Sequence, residues 1–390
     1  MNSLHDNLPT QSPIRVAILQ RVCTGYRAKL FRQISDHSHY QIRLFFGDDV
    51  PQSKVKSAQN LDGFAFTKTK SRFFTIGKRT LVWHSGLQNE LTKFNPDVVV
   101  TEGESNFLNL FQVFNYRRSN PHVKIIHWSL GSIPGNRKPL SPLIDRLKYL
   151  YQQWFDGFLV YSSYGKKYLE SLGHPPKKIV VAVNVADTND ILFKTEQANI
   201  NQCEIRKQLN LHDQFTVLYS GALTANKRPD LLIEIAKQFV DRPINFVFIG
   251  DGSMLDSLKA IVHDKQLAHV YLIGPVHDTL SLYYQASDVV VLPGRGGVVI
   301  SEAMAWGKPV ILHQADGTEY DLIVDKETGR ILNEGTCESF CEAINGLLKK
   351  PALCKKWGEQ GRQRLLDNFT MKLMIDSFFN SINNVIHHTS

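Results

Sequence analysis

Short apolar runs punctuate this chain at regular intervals, with amphipathic stretches between them. In the first half they fall at 16–19, 42–46, 98–100, 123–126, 158–161 and 179–183, and each predicts a strand. In the second half the spacing is more regular, with runs at 215–219, 244–249, 270–273, 289–292, 310–312 and 330–332. The intervening stretches carry a helical period; over 231–240, Leu231, Leu232, Ile235 and Phe239 recur every three or four residues. Strands that are apolar on both faces and separated by helices predict parallel, doubly wound sheets. A chain of 390 residues exceeds one ordinary core, so two such α/β domains are expected. We place a disordered tail at 1–13, a first domain at 14–186, a second at 187–368 and a terminal segment at 369–390 whose helix covers 372–386.

The stretch 288–312 is the most informative. A buried-strand pattern runs into Gly294, Gly296 and Gly297, then into a short helix that holds Glu302, and Gly307 and Pro309 end it. Glycines before a helix leave its first N–H groups unobstructed, and the helix dipole adds partial positive charge there. Such an end suits a phosphate. Glu302, one turn further in, is placed to accept hydrogen bonds from sugar hydroxyls.

Doubly wound sheets bind ligands at the carboxyl ends of their strands. Four turns lie at such ends: 21–27 with Gly25, Tyr26 and Arg27; 127–131 with His127; 221–228 with Gly221, Lys227 and Arg228; and 294–302. Two basic side chains opposite a bare helix end would neutralise a diphosphate and stabilise it as a leaving group. Blander readings stand beside these. Lys227 is also what an ordinary surface lysine at a helix start looks like, Glu302 could merely complement the helix dipole, and His127 could be a hydrogen-bonded structural histidine.

Charge narrows the partners. The net charge of +8 favours acidic ones: nucleic acid, anionic lipid or a sugar-nucleotide diphosphate. Residues 52–79 break the strand–helix rhythm with Lys54, Lys56, Lys68, Lys70, Arg72, Lys78 and Arg79 interleaved with Phe64, Phe66, Phe73 and Phe74. This is either a solvated loop with inward aromatics or a surface that rests on an anionic membrane. No RNA-binding signature accompanies it, so nucleic acid is not expected as a partner. No apolar run approaches the roughly 18–20 residues that span a bilayer, and 1–12 are polar without a leader-like core. The expected location is therefore cytoplasmic, with peripheral attachment to the inner membrane face. Five scattered cysteines, including Cys337 and Cys341 four apart, form no zinc-binding set and read as free thiols.

Five segments occurring in order carry a resemblance: 220–233 (SGALTANKRPDLLI), 249–252 (IGDG), 273–276 (IGPV), 286–293 (ASDVVVLP) and 301–310 (SEAMAWGKPV). Together they resemble the donor domain of retaining family 4 glycosyltransferases, which have the GT-B fold of two Rossmann-like domains facing a cleft. The likeness is specific from about 215 to 332 and weaker upstream, at 16–27, 121–127 and 180–187. It implies transfer of a sugar from a nucleotide-diphosphate donor, UDP- or GDP-linked, with retained anomeric configuration and without a metal. The acceptor would be lipid-linked or a polysaccharide, in cell-surface glycan synthesis. By this likeness Lys227 holds the donor phosphates, Glu302 contacts the ribose, and Gly296, Gly297 and Val298 offer backbone to the diphosphate and sugar. Val276 lies near the base, His127 lies against the donor sugar, and the terminal helix packs back on the first domain. Gly25, Arg27, Gly221, Arg228 and Arg295 complete the candidate donor-binding set. Two positions depart from the family pattern. Gly294, followed by Arg295, stands where the first glutamate of the Glu, seven residues, Glu motif belongs. Ala222 stands where an arginine usually follows the turn glycine, with Arg228 a substitute. A sugar-nucleotide epimerase and a degenerate, non-catalytic nucleotide-sugar-binding relative remain as alternatives.

Overall fold

A computed structural model describes residues 12–51, 56–77, 79–103, 107–135, 141–191, 201–276 and 279–387; of the expected tail at 1–13, residues 1–11 lie outside them. The chain divides into two compact units, one of Met1–Ser129, Leu150–Leu159 and Phe379–Ser390, the other of Leu130–Tyr149 and Val160–Phe378.

The first sheet has seven strands: β1 (Ile14–Leu19), β2 (Tyr40–Phe46), β3 (Phe66–Lys68), β6 (Val98–Glu102), β7 (Lys124–Ser129), β8 (Gly157–Val160) and β9 (Ile179–Val181). Their order is β3-β2-β1-β6-β7-β8-β9, and β3 through β7 pair in parallel. Two strands stand apart as an antiparallel hairpin, β4 (Ser71–Ile76) with β5 (Arg79–His84). The basic–aromatic stretch is thus partly strand, where no regular structure was expected. Phe64 turns toward Phe31; Phe66 lies near Phe46 but stays exposed, as do Phe74 and Ile76. In the terminal helix Met371–His387, the Phe379 ring stacks on Tyr40 at 4.5 Å, and the Tyr40 hydroxyl donates to Asn383 Oδ1 at 2.7 Å.

The second sheet has six parallel strands: β10 (Phe215–Ser220), β11 (Ile244–Ile249), β12 (Val270–Gly274), β13 (Val289–Leu292), β14 (Val310–Leu312) and β15 (Gly329–Ile331). Their order is β12-β11-β10-β13-β14-β15. Strands β10, β11, β13 and β14 are buried along nearly their whole length, which is why their sequences read as continuous apolar runs. Leu232 and Ile235 from one covering helix, Phe239 from the turn after it, and Phe340, Ile344 and Leu347 from another helix close over the sheet.

Strand order reverses between β1 and β6 in the first sheet and between β10 and β13 in the second. The turns that leave those strands are where a doubly wound sheet opens a crevice.

Candidate functional site

In the second unit, β10 ends at Ser220, Gly221 follows, and the chain passes through a single 3-10 turn, Ala225–Lys227. Arg228 follows in the left-handed conformation, φ +51°, and Pro229 starts the next helix at the position where its missing N–H costs nothing. This reversal sends the Lys227 side chain across the β10/β13 reversal. Its ammonium donates to the carbonyl of Arg295 and, at 3.0 Å, to that of Gly296. The Arg295 N–H returns a bond to Asn226 O at 3.3 Å. The two turns are laced together.

The lacing depends on Gly294. A Cβ there would lie 2.5 Å from the Lys227 carbonyl carbon and 2.6 Å from Asn226 O, so only glycine lets the turns meet. The space where the resemblance would put a carboxylate is filled by the backbone of Asn226 and Lys227. Gly297, at φ +82°, then swings the chain into the helix Val298–Ala305, whose start carries no side-chain cap. The first N–H groups of a helix have no acceptor within it. An anion there is also favoured by the dipole.

Glu302 is half-buried one turn into this helix and accepts from the Tyr284 hydroxyl at 3.2 Å. Tyr284 is wholly buried and stacked on Trp306, and burial, then the Glu302 charge, pushes its pKa well above the usual value. The phenol remains a donor that fixes the carboxylate. Burial also lowers the Lys227 pKa; Asp316 opposes that shift and Arg295 adds to it.

Asp316 is the residue that sequence reasoning missed. It follows β14, and its Oδ2 lies 3.3 Å from where a Cβ on Gly297 would sit. Thr318 anchors its other oxygen, donating from Oγ1 at 2.6 Å. Buried Glu319 braces the same loop by accepting from the N–H groups of Ala315 at 2.9 Å and Gly317 at 2.7 Å. Asp316 sits in a strand-end turn, the same signal that singled out the other four turns.

The remaining candidates are dispersed. Val276 is half-buried just beyond β12. The exposed Arg228 donates to Gly335 O at 3.1 Å. In the first unit, Gly25 is exposed with open space around it. Arg27 is buried, its guanidinium 4.4 Å from the Trp128 ring centroid. His127, near the end of β7, is buried edge-on to Phe155 at 4.7 Å, with Nδ1 3.2 Å from Ser129 Oγ. Its ring covers Gly103, where a Cβ would come within 2.3 Å of it. The structure thus brings Lys227, Gly294 to Val298 and Glu302 together in one unit, with Asp316 added, and places Gly25, Arg27 and His127 in the other. Arg21 and Glu102 form an ion pair across the β1/β6 reversal, with both the Arg21 N–H and its Nε 2.7 Å from the carboxylate.

Residues 201–364 match the family "Glycosyl transferases group 1", and residues 37–190 match "Glycosyltransferase Family 4". The chain belongs to the group 1, family 4 type glycosyltransferases. Among curated relatives, the alpha-D-kanosaminyltransferase of Streptomyces kanamyceticus is 29% identical over 43% of this chain and 45% of its own length. The capsular polysaccharide biosynthesis glycosyltransferase CapM of Staphylococcus aureus is 28% identical over 52% of this chain and 55% of its own. The chain thus spans about half the length of these curated relatives. Similarity in fold extends much further. A glycosyltransferase from Rickettsia africae superposes with a TM-score of 0.73 at 14% identity over 97% of this chain and all of that one. Anabaena HepE in complex with UDP does so with 0.71 at 15% identity, covering 95% and 100%. These likenesses establish the GT-B fold for this glycosyltransferase.

Proposed function

We propose that this glycosyltransferase moves a sugar from a nucleotide-diphosphate donor, UDP- or GDP-linked, to a lipid-linked or polysaccharide acceptor, with retention and without a metal. One observation carries the reading: the Lys227 ammonium is held on the carbonyls that precede an uncapped helix start, with the fixed Glu302 carboxylate one turn on. A cation and a row of amide donors converge where a diphosphate needs both. The relative from Streptomyces is named for sugar transfer and CapM for capsule synthesis, and HepE was solved with UDP, which supports a nucleotide-sugar donor and a cell-surface product.

In this mechanism Lys227 releases the two carbonyls and takes up the departing diphosphate charge, while the first amides of the 298–305 helix share it. The carbon–oxygen bond to the diphosphate breaks, and a new one forms to the acceptor oxygen on the same face. The acceptor proton passes to the departing phosphate oxygen, so no enzyme nucleophile is required. Glu302 accepts from the ribose hydroxyls. Val276 and Gly221 line the nucleotide.

The test is binding and turnover across UDP-, GDP-, ADP- and dTDP-sugars. One class should bind and release its nucleotide, and Lys227→Ala should lose that binding. No binding by any of them, with Lys227→Ala indistinguishable from the parent, would refute the proposal.

A further inference from the structure

In the second sheet β13 lies between β10 and β14, so the Gly294–Gly297 turn has a neighbouring turn on each flank. The β10 turn supplies the Lys227 ammonium. The β14 turn supplies a carboxylate. Asp316 is half-buried, and its Oδ1 accepts from the Thr318 hydroxyl at 2.6 Å and from the Thr318 N–H at 3.3 Å. Its Oδ2 lies 3.3 Å from the Cβ position of Gly297; chain neighbours aside, no other atom of the described residues comes within 4 Å of that position. Among the described residues none donates to this second oxygen. The loop beneath is rigidly held. Thr318 and Glu319 are wholly buried, and the Glu319 carboxylate takes the N–H groups of Ala315 and Gly317. Gly317, at φ +104°, packs so closely that a Cβ would lie 2.8 Å from Ser162 Oγ. One carboxylate oxygen is thus used to fix the group, and the other is presented to the helix start.

A carboxylate in this position is at odds with a seat for phosphate alone. Two negative groups side by side repel, and the Lys227 ammonium, whose charged form Asp316 favours against burial, is shared between them. The turn onto Thr318 needs no charge either, since an asparagine accepts in the same geometry. What a carboxylate adds is a strong acceptor for hydroxyl groups. A nucleotide sugar carries such groups in the right place, on a ring one ester oxygen beyond the phosphate. On the other flank, at Gly294, the backbone of Asn226 and Lys227 leaves no room for an acid. Glu302 stands one turn deeper in the helix and is engaged by Tyr284. Asp316 is therefore the acid presented to whatever stands over Gly297.

We infer that Asp316 is the sugar-reading residue of this transferase: its Oδ2 accepts a hydrogen bond from a ring hydroxyl of the donor sugar, on the flank of Gly297 opposite Lys227. The assignment rests on the nucleotide-sugar reading of the site. It adds a residue that selects among hydroxylated sugars without holding the diphosphate.

The test is calorimetric titration of the parent, Asp316→Asn and Lys227→Ala. The probes are UDP-glucose, UDP-N-acetylglucosamine, GDP-mannose, ADP-glucose and dTDP-glucose, the matching free diphosphates, and the monodeoxy forms of the sugar nucleotide that binds, each with magnesium and with EDTA. The Asp316→Asn amide oxygen can still accept from Thr318, so thermal unfolding should match the parent. This variant should bind the sugar nucleotide about ten- to a hundredfold more weakly and the free diphosphate as well as the parent or better. Lys227→Ala should weaken both. On the parent, one monodeoxy donor should show the same loss, and Asp316→Asn should weaken that one no further. Magnesium should change none of these ratios. Equal losses for diphosphate and sugar nucleotide would make Asp316 a loop anchor, and a loss seen only with magnesium would make it a metal ligand. Either overturns the inference, as does an Asp316→Asn chain that loses nothing, or a parent that binds every monodeoxy donor undiminished. In those cases sugar-nucleotide binding that fails in Lys227→Ala leaves the transferase reading standing. A parent that binds none of the probes would sink both.

Discussion

Gly294 and Lys227 are in backbone contact, so close that a Cβ on the glycine would sit 2.7 Å from the lysine Cα. The contact aims the ammonium: Lys227 reaches the Arg295 and Gly296 carbonyls because the two turns touch at Gly294. Placing the family's glutamate there would wedge the turns apart. Gly294→Glu should therefore lower donor affinity by at least about tenfold, and Gly294→Ala should already cost roughly 1–3 kcal/mol of stability from overpacking. Calorimetric titration and thermal unfolding of the two variants check this.

Lys227→Arg separates charge from shape. The guanidinium keeps the positive charge but spreads it over a planar fork, which does not suit two carbonyls of one turn. Lys227→Ala should weaken donor binding by about 100-fold, a loss of roughly 2–3 kcal/mol for a charge-assisted contact. Lys227→Arg should fall between Ala and the parent. Dissociation constants for the preferred nucleotide sugar decide the order.

The hydroxyl of Tyr284 holds Glu302 by a 3.2 Å bond inside the core. Tyr284→Phe keeps the ring stacked on Trp306 and removes the hydroxyl that bonds both Glu302 and Ser220, so its effect on donor binding reports on the orientation of the carboxylate. KM for the donor should rise by about three- to tenfold, equivalent to roughly 1 kcal/mol, with stability nearly unchanged. Glu302→Gln should raise KM further, and Tyr284→Phe should add little to it.

His84 is wholly buried, and desolvation lowers its pKa to about 4, with a hydrogen bond to the Arg21 backbone and the Asp48 charge opposing the drop. The folded value lies below the ordinary 6.5, so between those limits the unfolded chain binds the proton more readily. Stability should therefore fall as pH drops from about 6.5 to 4, by up to about 3 kcal/mol from this residue. His84→Phe should flatten that part of the profile, measured as urea midpoints across pH.

How far the sequence reveals this molecule depends on what each segment faces. Strands such as β11 and β13 are covered on both sides, so Ile244–Ile249 and Val289–Leu292 read as unbroken apolar runs. Strands β3, β4 and β5 were not legible because Lys68, Lys70 and Arg72 interrupt the aromatics and one side of each strand faces solvent. At the site, glycine spacing located the Gly294–Glu302 turn and pointed to Lys227. Spacing could not show that Lys227 would grasp backbone, or that Asp316 from a strand-end turn beyond β14 would come beside Gly297. His127 was expected in the turn after its strand but lies within β7, because that strand runs on to Ser129, and the aromatic cage that holds it comes from Phe155 and Phe158, remote in sequence.

The turns after β10 and β11 also touch through glycine: a Cβ on Gly250 would come within 1.9 Å of Gly221 O, and Leu223 donates to Asp251 O at 2.9 Å. Two loops joined in this way have little independent freedom left to surrender, so a ligand arriving at this rim meets a seat already set. Its arrival should cost little ordering entropy there, and amide exchange in both loops should be slow even with the site empty.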